Sequence, residues 1–124
     1  MSIRRRIAAV DGASAVRAVL AGADDRVTLA LASRYLLEQL ADEAEGHTVE
    51  VRVPPFGAVQ AIPGPRHTRG TPPNVVEMDA ATWVALATGG LLWDAALADL
   101  RVTASGQRAT LAEHLPLRWE TMEA

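Results

Sequence analysis

Thr48-Val49-Glu50-Val51-Arg52-Val53 alternates strictly, with three valines on one side and Thr48, Glu50 and Arg52 on the other. Successive side chains of an extended strand point to opposite faces, so this stretch reads as a strand with one face buried and one in water. Pro54-Pro55 ends it, because proline has no amide to give to a ladder. A second strand is expected at about 56–62, with Phe56, Ala58, Gln60 and Ile62 on one face. The link between the two is too short for a crossover, so they pair antiparallel. Val75-Val76-Glu77-Met78 reads as a third short strand, and Arg101-Val-Thr-Ala-Ser105 as a fourth, with Val102 and Ala104 inward.

Helical signals surround these strands. Asp24 or Asp25 can cap a helix over about 25–45, in which Leu29, Ser33, Leu36, Leu37, Leu40 and Ala44 recur at helical spacing and Gly46 is the stop. Upstream, Ile7, Val10, Ser14, Arg17 and Leu20 form an imperfect stripe of a first helix, which Gly22 interrupts. Downstream, Asp79 caps a helix with Trp83, Leu86 and Ala87 on one face, and Gly89-Gly90 terminates it. A short helix at about 92–99 brings Trp93, Ala96, Leu97 and Leu100 to one side. Thr110-Leu-Ala-Glu113 has the spacing of a capping box and opens a last helix that Pro116 stops. Helix, strands, then helix–helix–strand–helix is an α+β order, with helices covering one side of a small sheet. The span from strand 75–78 through two helices to strand 101–105 is long enough for a crossover, which allows a mixed sheet.

Composition narrows the function classes. The 124 residues suit one domain, and 49% hydrophobic with 22% charged residues is the balance of a folded globular chain. There is no cysteine, so disulfides, thiolate nucleophiles and cysteine metal sites are excluded. The net charge of −3 argues against general nucleic-acid binding, which needs a broad basic surface. Arg4-Arg5-Arg6 is a local exception and reads as a solvated end. The apolar stretch behind it breaks at Asp11-Gly12, too early for a secretory signal, and no run is long enough for a membrane span. A cytoplasmic location is the expectation.

The loop Pro63-Gly-Pro-Arg-His-Thr-Arg-Gly-Thr-Pro-Pro-Asn74 cannot be regular structure, and loops of that length are functional or mobile. Arg66-His67-Thr68-Arg69 within it could grip a carboxylate or phosphate through the planar guanidinium forks. Equally, its arginines could pair with Glu50, Glu77 or a carbonyl and pin the loop, and in either case Arg66 and His67 could also serve a dimer contact. Both readings stand. His47, His67 and His114 are too scattered for a metal site, and no serine has a nucleophile-elbow context. Neither an enzyme nor a cofactor is expected. Trp83 and Trp93 flank the double glycine, where each could plug a core or wall a cavity.

The run Met78-Asp79-Ala-Ala-Thr-Trp83-Val-Ala-Leu-Ala-Thr-Gly89-Gly90, with Trp93-Asp-Ala-Ala-Leu97 and Arg101-Val-Thr-Ala-Ser-Gly106, resembles the C-terminal half of sterol carrier protein domains. With Val49–Gln60 and the loop Gly64–Glu77, it looks like the bacterial sterol-carrier-like family typical of actinobacteria, over about residues 25–117. The flanks, 1–24 and 118–124, would then be an N-terminal segment and a tail. The resemblance implies a two-layer sandwich, with a mixed sheet of about five strands and an apolar cavity between sheet and helices. Leu36, Leu40, Trp83, Leu86, Trp93, Leu97 and Val102 would wall the cavity, and Arg66 or Arg69 would meet a polar headgroup. The ligand would be a lipid, fatty acid or acyl thioester. One Phe and one Tyr make any such cavity mainly aliphatic. The alternative is a homodimeric interaction domain with a filled core.

Overall fold

The computed structural model describes residues 6–65 and 73–120. Four strands, β1 (Val49–Val53), β2 (Gly57–Ala61), β3 (Asn74–Met78) and β4 (Val102–Ser105), form one sheet in the order β2-β1-β3-β4. Helices α1 (Ala9–Leu20), α2 (Arg26–Glu43), α3 (Ala80–Thr88) and α4 (Trp93–Ala98) complete an α+β fold, with a 3-10 turn at Ala112–His114. The resemblance implies about five strands, and the described residues hold four.

The alternation of β1 settles the layering. Val49, Val51 and Val53 are fully buried, while Arg52 is in water, bonded to Glu50 at 3.0 Å and 3.9 Å from Glu77 on β3. The hairpin β1–β2 is antiparallel, as its short link requires, pairing Val49 with Ala61 and Val53 with Gly57. The sheet is mixed, but the parallel pair is β1–β3 and not the pair joined through the helices. Met78 at the end of β3 stands opposite Val102 at the start of β4, so α3 and α4 return the chain to the end it left. In β2 the inward side is Gly57, Val59 and Ala61, the opposite set to Phe56, Ala58, Gln60 and Ile62. Ile62 is buried too, because a left-handed backbone (φ 75°) turns it out of the strand's alternation. Its amide donates to Ala44 O at 2.6 Å and its carbonyl accepts from Thr48 N at 3.1 Å. Ala104 is exposed although Val102 is buried, since the helical cover ends before it.

The helices follow their signals with informative departures. Asp25 caps α2, its carboxylate accepting from Thr28 N at 3.0 Å and Thr28 Oγ1 at 2.8 Å. Ser33, Leu36, Leu37, Leu40 and Ala44 are buried on the expected stripe, and Leu29 is partly buried beside them. The helix stops at Glu43, short of Gly46, where the Ala44 carbonyl turns to the sheet's Ile62. In α1 the buried face is Gly12, Ala13, Ala15 and Val16, whereas Val10 and Leu20 are exposed. Small residues win there because Gly12 lies directly against the ring of Tyr35, where a Cβ would collide. Asp79 caps α3 through Thr82 N at 2.8 Å, and Gly89 ends it in the left-handed region. Trp83 is fully buried and donates its indole N–H to Ser33 O at 3.2 Å, tying α3 to α2.

Two short elements differ from expectation. In α4, only Trp93 and Ala96 face inward, and Leu97 and Leu100 are in solvent. Leu100 has φ 59° and is 88% exposed, ending α4 with Arg101 N bonded to Ala96 O at 2.9 Å. The Thr110–Glu113 capping box does not form. Thr110 Oγ1 accepts from Ala112 N at 3.2 Å, and three residues of 3-10 helix follow, with Pro116 too close for an α-helix. The chain then crosses the back of α2, with Leu117 N bonded to Ala87 O and Arg118 N to Glu43 Oε2 at 2.7 Å. Tyr35 donates its hydroxyl to Trp119 O at 2.8 Å.

Gly12→Ala should destabilise the protein by about 1–3 kcal/mol, the usual cost of overpacking, as read by urea denaturation. An unchanged midpoint would mean that α1 can retreat from Tyr35 at no cost. Leu100→Gly should instead stabilise by roughly 0.5–1 kcal/mol, the left-handed penalty less the added freedom of the unfolded chain. A lowered melting temperature in that variant would show that the exposed leucine makes a stabilising contact.

Candidate functional site

Leu36 and Leu40 on α2, Trp83 and Leu86 on α3, Trp93 on α4 and Val102 on β4 meet in one layer between helices and sheet. The first four have no exposed surface, and they belong to one continuous cluster with the strand valines. Ser33 is buried in this cluster's midst, and its Oγ has no hydrogen-bond partner among the described residues. Leu97 does not join them, because a six-residue helix turns only Trp93 and Ala96 inward. Arg66 and Arg69 lie outside the described residues.

Room for a ligand is found on the outer side of the helical layer. An open groove of about 790 Å³ runs between α1 and the first turns of α2. Ile7, Ala8, Ala15, Ala18, Val27 and Leu31 give it an apolar lining, with Arg6, Asp11, Ser14 and Thr28 as polar members. Across α2 is a second concavity of about 370 Å³, formed by Arg26, Val27, Ala30, Leu31, Arg34 and Phe56. Val27 and Leu31 border both, being one turn apart on the helix. A smaller hollow of about 170 Å³ lies at Arg6, Glu38, Ala41, Asp42 and Val59.

Charges fix the groove's edges. Arg6 reaches Asp42 at 2.6 Å and Glu38 at 3.7 Å, and Glu38 also accepts from Ile7 N at 3.1 Å. The segment before α1 is thereby fastened to α2. The hydrogen bond to Asp42 makes the Arg6 guanidinium hold its proton still more firmly. At the other end, the Thr28 backbone and hydroxyl hold the Asp25 carboxyl below its ordinary range, so the cap stays charged. Burial pushes the Tyr35 phenol above its usual value, which keeps it a neutral donor to Trp119. No group of three or more potential metal ligands occurs among the described residues. Nor, among them, is any helix long and apolar enough to cross a membrane.

The α2 side of the groove carries one signal in the sequence. Val27 and Leu31 form a second apolar pair at helical spacing on α2, off the stripe that enters the core, and Val27 is 77% exposed. Ala15 and Ala18 have no such signal, since their place depends on how closely α1 approaches Tyr35.

Comparison with protein families finds a match to the family described as bacterial SCP ortholog, over residues 25–117. Comparison with curated proteins finds no match. The matched stretch contains α2, the whole sheet, α3 and α4, and it leaves out α1.

Proposed function

This chain belongs to the bacterial SCP ortholog family, and from that premise we propose that it holds an apolar or amphipathic small molecule without transforming it. SCP denotes sterol carrier protein, and a sterol-carrier-like domain is the coarse function that membership carries. The seat proposed for the ligand is the groove between α1 and α2. The observation that supports this seat is its open volume of about 790 Å³ with Ile7, Ala15, Ala18, Val27 and Leu31 along it. That volume is within the roughly 300–1,000 Å³ of ordinary ligand pockets. The interior layer of Leu36, Leu40, Trp83, Leu86, Trp93 and Val102 is filled by its own side chains, so it walls a ligand only if the helices part. In that interior seating, Arg66 or Arg69 on the 63–74 loop would meet the headgroup.

The test is delipidated protein titrated with a fluorescent fatty acid analogue, followed by mass spectrometry of extracts. Binding at or below tens of micromolar is expected. Val27→Asp should weaken it by about tenfold or more, since a carboxylate in an apolar seat is strongly disfavoured, with little change in stability at so exposed a position. Absence of binding together with lipid-free extracts ends the carrier reading.

A second reading, a homodimeric interaction domain, is favoured by one observation. Leu92 and Leu100 are largely exposed on either side of α4, and Leu97 between them is partly so. Apolar clusters of this kind mark contact surfaces. In this case light scattering should give twice the monomer mass, falling to one on Leu92→Glu. A wild-type protein that is monomeric at high concentration removes it.

A further inference from the structure

We infer that Arg26, Arg34 and Phe56 form an anion-recognising subsite on the outer face of α2, which reads the acidic headgroup of a single-chain amphiphile. The inference rests on the carrier reading above, since the tail is to lie in the α1–α2 groove.

Positions 26, 30 and 34 form one row of α2, with Val27 and Leu31 in the row beside it. Both arginines converge on the ring segment presented by the β1–β2 turn. The Arg26 guanidinium carbon lies 5.6 Å from the Phe56 ring centroid, a cation–π distance that places the cation without using its N–H donors. Arg34 donates Nε to Phe56 O at 2.8 Å, which orients its fork, and among the described residues its two terminal nitrogens have no acceptor. Among the described residues neither has a carboxylate within ion-pair distance. Arg6, Arg17 and Arg52, by contrast, each hold an acidic partner at 3.2 Å or less.

Asp25, the acid next to Arg26, is turned to the α2 cap, where its Oδ2 takes both Thr28 donors, and Glu38, the acid nearest Arg34 in sequence, is engaged by Ile7 N and Arg6. Two cations around an apolar hollow of Ala30, Val27, Leu31 and Phe56 complement a ligand with an anionic end and a hydrocarbon body. A neutral sterol or alcohol would leave both charges unused. Val27 and Leu31 line both the hollow and the groove, so a tail leaving a head held between the arginines has only to cross these two apolar side chains to lie along α1.

The experiment is calorimetric titration of the full chain with dodecanoate, dodecyl phosphate and dodecanol, each below its aggregation limit. Both acids should bind about tenfold tighter than the alcohol, the scale of two partly exposed charge-assisted contacts. The preference should shrink as salt is raised. Arg26→Gln with Arg34→Gln should bring the acids down to the alcohol's affinity and leave the alcohol unchanged. Arg26→Gln alone keeps the Arg34–Phe56 bond, and should lose part of the preference even if the double variant folds poorly. A preference for carboxylate or phosphate alone identifies which headgroup the subsite takes and supports it. Equal binding of acid and alcohol by the wild type, or full acid preference in the Arg26 variant, overturns the subsite and leaves the groove reading intact. Binding of none of the three overturns both.

Discussion

A sheet with one apolar face and one charged face allows its helices a single side. In β1 the three valines are buried to the last atom, and the residues between them face water, with Arg52 spanning Glu50 and Glu77 across two strands. Covering the charged face would strand those groups without solvent, a cost that ordinary apolar contact does not offset. Every helix therefore crowds onto the valine side. There α2 and α3 are joined by a buried contact, the Trp83 indole on the Ser33 carbonyl. The bond satisfies the one polar atom of the largest core side chain with backbone already at hand.

Crowding one side fills it. Leu36, Leu40, Trp83 and Leu86 leave each other no exposed surface, and the concave surfaces move outward to where helix meets helix. Helix α2 serves several neighbours at once, because 3.6 residues per turn spread its side chains all round. Leu36 and Leu40 enter the core, while Tyr35, Gln39 and Glu43 meet the C-terminal segment through Trp119 and Arg118. Val27 and Leu31 border the groove, and Arg26 and Arg34 grip Phe56.

What could be read in advance was local. The alternation of Val49–Val53, the Asp25 and Asp79 caps and the Gly89 stop each act within a few residues, and each stands where the chain implies it. Pairing β1 with β3 in parallel depends on residues more than twenty positions apart, so no short pattern carries it. Ile62 leaves the face that Phe56, Ala58 and Gln60 share, because its left-handed backbone turns it inward in a way that alternation does not anticipate. In α1 the large apolar residues Val10 and Leu20 stay exposed, and Gly12, Ala13 and Ala15 set the contact by being small. Leu97 followed the helical stripe on paper, but α4 is too short to bury more than Trp93 and Ala96. The groove was illegible for a deeper reason. Its volume is set by the distance between two helices, and no residue type encodes a distance.

Tyr35 joins the family-matched stretch to both flanks of the chain. It belongs to the stretch common to the family, yet its ring is buried against Gly12 and its hydroxyl is bonded to Trp119, both outside that stretch. Arg17 and Glu120, one from each flank, meet at 3.2 Å over the same side of α2. The length that the family match covers and the length that packs together are therefore different. A protein trimmed to the shared residues would bare a tyrosine and lose one wall of its groove.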